Sequence, residues 1–194
     1  METVKLTKKH KMIIVAIAIC VAIAIVIIVI NFTRMKQSIM GAVTNNYFSD
    51  RELYASATAK KYGIDNTPTP EVWQNLYALR DNVLNPAREA YGSCIFVNCA
   101  YRSPQVNKLV GGVATSQHVT GQAADITTKS VEGNRKLFAL LMEQGNFDQI
   151  IWEGQGAWIH VSFSMNGNRH MALAQNASGK GYTNINSNWQ TAIA

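Results

Sequence analysis

Residues 116–125, Ser-Gln-His-Val-Thr-Gly-Gln-Ala-Ala-Asp, and the later triplet Trp158-Ile159-His160 decide how this chain is read. Between them they supply two imidazoles and a carboxylate: His118, His160 and Asp125. A structural zinc site closes all four positions with protein ligands, whereas a catalytic one uses three and keeps the fourth for water. No fourth candidate lies near these two motifs in sequence. The set points to a catalytic zinc and a hydrolytic reaction. Taken singly, a histidine is more often a surface or hydrogen-bonded structural residue than a ligand, so the case rests on what surrounds them.

The surroundings form a hairpin. FDQIIWE (147–153) and WIHVSFS (158–164) alternate as two strands joined by Gly154-Gln155-Gly156-Ala157. On the second strand Trp158, His160, Ser162 and Ser164 share a face; on the first, Phe147, Gln149, Ile151 and Glu153 do. With Glu153 opposite Trp158, Ile151 faces His160 and Glu153 becomes its diagonal neighbour. Diagonal neighbours lie about 7–8 Å apart, and closer at their tips. That distance suits a carboxylate that takes a proton beside a metal without ligating it. A one-residue slip in register would remove Glu153 from the face. In Tyr101-Arg102-Ser103-Pro104, Arg102 is the candidate cation for charge developing on a scissile carbonyl. Asp148 should point away from His160 and hold a neighbouring loop.

Around this pair the sequence reads as helices followed mainly by strands, an α+β pattern with a small antiparallel sheet flanked by helices. Residues 49–62 suggest an amphipathic helix with Leu53 and Ala57 inward. Thr69 can cap a helix that has Pro70 in its first turn. Val72, Trp73, Leu76, Leu79, Val83 and Leu84 follow at helical spacing, and Asn85-Pro86 interrupts them. Residues 95–97 and 125–127 read as strands, and Ser103-Pro104 starts a short helix that Gly111-Gly112 ends. Residues 131–144 read as a helix with Leu137, Leu140 and Leu141 inward and Gly145 as its stop. Beyond Ser164 the chain is rich in Asn, Ser and Gly, and residues 165–194 read as a partly disordered tail.

Before the domain stands a different kind of segment. Residues 12–30 are 19 uninterrupted apolar residues, about what a helix needs to cross roughly 30 Å of hydrocarbon. A signal peptide has a shorter apolar core followed by a small-residue cleavage site; here Asn-Phe-Thr-Arg-Met-Lys follows. The expectation is an uncleaved anchor, 12–32, behind a basic segment, 1–11, and ahead of a linker, 33–48. Four lysines precede the anchor against Arg34 and Lys36 after it. The bias puts the N-terminus in the cytoplasm and the domain, 49–164, outside the cytoplasmic membrane, on the periplasmic or wall side. The first 36 residues carry six Lys/Arg and one Glu, most of the formal +6. The high pI therefore describes the anchor and argues against a nucleic-acid partner. Cys94 and Cys99, five apart in one expected strand, would face opposite ways, which disfavours a disulfide between them.

The pattern S-x-H-x-x-G-x-A-x-D is met in full by Ser116, His118, Gly121, Ala123 and Asp125. It resembles the zinc D-Ala-D-Ala carboxypeptidases and murein endopeptidases that share the Hedgehog-like DD-peptidase fold. The likeness runs upstream through GIDNTPTPE (63–71), NVLNPAREAYG (82–92) and YRSPQVNKLVGG (101–112), and downstream through FDQIIWE and WIHVSF. It covers roughly residues 48–164, and the compact members common in phages and mobile elements are the most similar. The resemblance implies His118, Asp125 and His160 as ligands of Zn2+, and Arg102 as the group that binds the substrate carbonyl or carboxylate. It implies Ser116 and Tyr101 as further substrate contacts, and peptidoglycan peptides as substrate. Several relatives place an acidic base three residues before the second histidine; here that residue is Ala157, which leaves Glu153 as the acidic residue of the hairpin turn. Cys99-Ala100 stands where relatives often have Ser-Gly.

Three functions compete at this point. The first is a membrane-anchored zinc peptidase that trims stem peptides, as a D,D-carboxypeptidase or an endopeptidase, by zinc-activated water. The second is a cysteine peptidase of the same wall with Cys99 paired to a histidine, although none of the cues that lower a thiol pKa is visible in sequence. The third is a wall-binding module that keeps the fold and metal without catalysis.

Overall fold

The computed structural model describes residues 45–194, with Lys8 and Ile17 alone before them. Apart from those two residues, the expected basic segment and anchor lie outside the described residues, as does the linker up to residue 44. Among the described residues no helix is long and apolar enough to cross a membrane.

Ser49 and Glu52 cap one another at the start of α1 (Asp50–Tyr54). The expected single helix over 49–62 is in fact two. Ala55 is extended, and the Ser56 side chain accepts from Ala59 N to start α2 (Ala57–Tyr62) afresh. The restart turns Ala59 inward and leaves Ala57 exposed, while Leu53 is buried as expected. Thr69 caps α3 (Pro70–Leu79) through Val72 N. Asn85-Pro86 does not end it. Residues Arg80–Leu84 widen into a π turn, and α4 (Asn85–Tyr91) continues directly. Proline removes an i→i−4 hydrogen bond and crowds the preceding turn; here the Asn82 carbonyl that Pro86 leaves free accepts from Asn146 Nδ2 at 2.8 Å.

β1 (Phe96–Cys99), α5 (Pro104–Leu109), β2 (Ala123–Thr127), α6 (Val131–Gln144), β3 (Gln149–Glu153) and β4 (Trp158–Ser162) follow. The residues expected to form a tail then add β5 (Met171–Gln175), β6 (Tyr182–Asn184) and α7 (Trp189–Ala192). The sheet has six strands in the order β1-β2-β4-β3-β5-β6. It is not purely antiparallel, because β5 runs parallel to β3. Met-Ala-Leu-Ala is a short apolar run that carries a strand which the composition around it obscures.

One face of the sheet is the core. Ala124, Ile126, Ile150, Trp152, Ile159 and Val161 are all buried there, against Leu137, Phe138 and Leu141 of α6. Phe138 meets Trp152 edge-on at 5.8 Å. The opposite face carries a row of directly paired residues across all six strands: Cys99, Asp125, His160, Ile151, Leu173 and Asn184. The hairpin register is the one expected, with Glu153 opposite Trp158 and Ile151 opposite His160.

Asn134, fully buried on α6, ties this helix to the hairpin. Its Oδ1 accepts from Thr128 N at 2.7 Å, and its Nδ2 donates to the carbonyls of Gly156 and Ala157 at 2.8 and 3.0 Å. Replacing it with alanine removes three backbone bonds at once and leaves the buried Gly156 carbonyl without this donor. Asn134→Ala should cost roughly 2–4 kcal/mol in urea unfolding; a loss below about 0.5 kcal/mol, the range of a plain surface change, would contradict this role.

Candidate active site

The motif loop owes its shape to Gly121. Its φ is +74°, and a Cβ there would sit 2.8 Å from the backbone oxygen of Val72. Only glycine combines that backbone conformation with that approach to α3. The tight path lets the His118 carbonyl accept from both Arg102 N (3.2 Å) and Gly121 N (3.3 Å). Ala123 is fully buried at the start of β2, which then presents Asp125 on the site face.

His118 Nδ1 lies 2.6 Å from the Ala100 carbonyl oxygen. A carbonyl can only accept, so Nδ1 carries the proton and Nε2 presents a lone pair. That nitrogen is 3.1 Å from His160 Nδ1 and 3.3 Å from Asp125 Oδ1, and His160 Nδ1 is 3.1 Å from the same oxygen. Tetrahedral ligands 2.0–2.1 Å from zinc are separated by about 3.3 Å. The donor types and their spacing fit a zinc ion. The carbonyl on His118 is the outer partner that orients such a ligand. Burial opposes the charge on Asp125, yet its contacts with the His118 and His160 imidazoles outweigh it and hold the carboxyl well below its ordinary range.

The site lies in an open cleft of about 940 Å³, and most of the expected residues meet there. Arg102 lines it with Nη1 3.7 Å from Asp125 Oδ2, Nη2 3.5 Å from Ser116 Oγ, and a buried Nε that has no partner. Ser116 is on the wall as expected. Glu153 stands at the hairpin end; Trp158 Nε1 donates to its Oε2 at 2.7 Å and Tyr182 OH to its Oε1 at 3.4 Å. Burial, reinforced by the charge on Asp125, raises its pKa.

Tyr101 is the exception. It is 5 % exposed, belongs to the core and is absent from the cleft wall. Its backbone N donates to Leu53 O, and its carbonyl accepts from Asn66 Nδ2. These bonds direct the ring inward while its neighbour Arg102 faces the site, so a substrate contact by the Tyr101 side chain is corrected to a packing role. Cys99 is half-buried beside the cluster and free, and burial pushes its thiol up to about 11. A nucleophilic cysteine needs the opposite shift, which removes the ground for the cysteine-peptidase reading.

Asp148 holds a loop, as expected, from a buried position. Arg169 Nε lies 2.9 Å from its Oδ1, Arg169 Nη2 2.5 Å from its Oδ2, and Gln117 Nε2 donates to Oδ2 at 2.8 Å. This pins the motif loop beside His118 to the segment after β4. Arg169, Leu173 and Tyr182 all line the cleft, and none was marked by the sequence reading. Only the apolar run of residues 171–174 could have flagged that segment as more than a tail.

The family model described as Peptidase M15 matches residues 46–162, more than half of the chain. It spans both histidine motifs and stops short of Arg169, Leu173 and Tyr182. No curated protein matches the chain.

Desolvation would raise the Asp148 carboxyl, but Arg169 and Gln117 hold it at about 2. A depressed folded-state pKa gives stability that is present above the unfolded value of about 3.9. It is lost as pH falls through the folded value. Because Arg169 is half exposed, the contribution is discounted to about 1–2 kcal/mol at pH 7. Asp148→Asn should therefore lower the urea midpoint at pH 7, and the gap from the unsubstituted protein should close between about pH 4 and pH 2. A gap independent of pH would show that the ion pair does not supply it.

Proposed function

The chain belongs to the Peptidase M15 family, the zinc D-Ala-D-Ala carboxypeptidase family. From that premise we propose that it is a membrane-anchored zinc metallopeptidase hydrolysing peptidoglycan stem peptides, as a D,D-carboxypeptidase or an endopeptidase. One observation carries the reading. His118 Nε2, His160 Nδ1 and Asp125 Oδ1 converge within 3.3 Å of one another at the floor of a cleft. Electron-rich atoms placed so closely call for a cation among them.

When bound, zinc supplies the Lewis acidity that makes a water nucleophilic near neutral pH and polarises the carbonyl under attack. The chain's own residues do the rest. His118, oriented through Ala100, and His160, set beside Asp125 by the β2–β4 pairing, hold the ion. Glu153 accepts the proton from the attacking water at a carboxylate oxygen and returns it to the departing amine. Trp158 fixes the other oxygen of that carboxylate. Arg102, anchored by Asp125 and Ser116, turns its guanidinium toward the cleft, where it binds the substrate carboxylate or carbonyl oxygen. An open cleft and a fixed cation on its wall suit a short peptide with a free carboxylate, as a stem peptide has. The apolar run over 12–30 and the lysines before it support an anchor that keeps the domain on the outer side of the cytoplasmic membrane.

The direct test is mass spectrometry of defined muropeptides incubated with the purified full chain, with and without a chelator. A chelator-sensitive loss of mass is expected, and the mass of the product identifies the bond. No product from protein shown to contain zinc would overturn the peptidase reading. Glu153→Gln should retain zinc and lose activity by about 10²–10⁴-fold; full activity in that variant would move the base elsewhere.

A further inference from the structure

Cys99 is absent from both sequence motifs, yet the fold brings it to the metal site. The β1–β2 ladder pairs Phe96 with Thr127 and Val97 with Ile126, then slips so that Cys99 faces Asp125. The extra residue is Asn98, and without the bulge Asn98 would occupy that position. Bulges beside functional sites re-aim a side chain, and this one turns the thiol onto the row that holds Asp125 and His160. Cys99 Sγ, a His118 ring nitrogen and an Asp125 carboxylate oxygen lie within 4.8 Å of one another. Its other polar neighbours are the Ala100 carbonyl oxygen and Arg102 Nη1, each at 3.9 Å.

We propose that Cys99 supplies a fourth protein donor to the metal held by His118, Asp125 and His160, beside a fifth position that stays open to water. The proposal rests on the metallopeptidase reading of the same site. Three features carry it. The thiol sits on the strand next to Asp125, with His160 on the strand to the other side of it along the row. The gap from Sγ to the His118 nitrogen and the Asp125 oxygen, at most 4.8 Å against the roughly 3.3–3.5 Å between tetrahedral ligands, is within reach of a side-chain rotation. A coordinating thiol is deprotonated outright, and its proton leaves to solvent as the metal enters. Arg102 then lies beside two anionic donors, Cys99 and Asp125, and partly offsets their charge. A soft sulfur donor also biases the centre toward zinc over hard cations such as magnesium or calcium. Zinc can expand to five-coordinate during a reaction, so the extra donor retains the metal without abolishing a place for substrate.

Cobalt(II) titration of the full chain separates this proposal from the reading beneath it. Visible d–d bands report that the ion is bound, and a near-ultraviolet thiolate-to-cobalt charge-transfer band reports sulfur ligation. Both should appear in the unsubstituted chain and in Cys94→Ser, while Cys99→Ser should keep the d–d bands and lose the charge-transfer band. Competition against a chromophoric chelator should find zinc held at least about tenfold more weakly by Cys99→Ser, the least expected when even an outer partner of a ligand is lost. Visible bands without a charge-transfer band in the unsubstituted chain would overturn the fourth donor and leave the three-ligand site standing. Loss of the band in Cys94→Ser would assign the sulfur elsewhere and overturn it as well. No cobalt binding at all would overturn both. Should Cys99→Ser misfold, the spectra of the unsubstituted chain and of Cys94→Ser still decide.

Discussion

A carboxylate in the middle of a sheet is costly unless its charge is met on every side, and Asp125 stands in that position on β2. His160 meets it from β4, His118 from the motif loop, and Arg102 from the turn after β1. Each of these partners depends on a further constraint. The His118 ring is held by the Ala100 carbonyl, the loop that carries it by Gly121 against Val72, and the guanidinium by Ser116. The spacing of the motif thus has a mechanical content. Serine, histidine, glycine, alanine and aspartate each satisfy a different requirement of one buried charge.

The same charge fixes the electrostatic character of the cleft. Cations and imidazoles crowd around Asp125, while Glu153 stands further along the sheet face, partly desolvated and held by Trp158. The two carboxylates therefore titrate in opposite directions, one pushed down and one pushed up. Such divergence is how a site assigns different tasks to groups of the same chemical type.

Much of this was legible in the sequence because it depends on strict local periods. The hairpin register followed from alternation, since a slip of one residue would have turned the apolar side chains of both strands to the wrong face. Helix α6 kept its bounds because Ser130 caps it and Gly145 ends it. Pro86 was misread because a proline's local veto can be offset by a distant donor, Asn146, which no window of sequence contains. Tyr101 was misread because its inward turn is set by Leu53 and Asn66, remote in the chain. The bulge at Asn98 was invisible for the same reason, and with it the place of Cys99 in the row.

The parallel pairing of β5 with β3 has a meaning for the chain's solubility as well as for its cleft. Strand β3, Gln-Ile-Ile-Trp-Glu, would otherwise form a border of the sheet. A short, flat, apolar border with unpaired amides is a template for pairing with another chain. Residues 171–175 cover it, and the β6 strand that follows is exposed, short and polar. A chain released after Ser162 would possess every metal donor, yet it would present a sticky margin to its neighbours. The segment that looks most dispensable by composition is the one that covers the β3 edge.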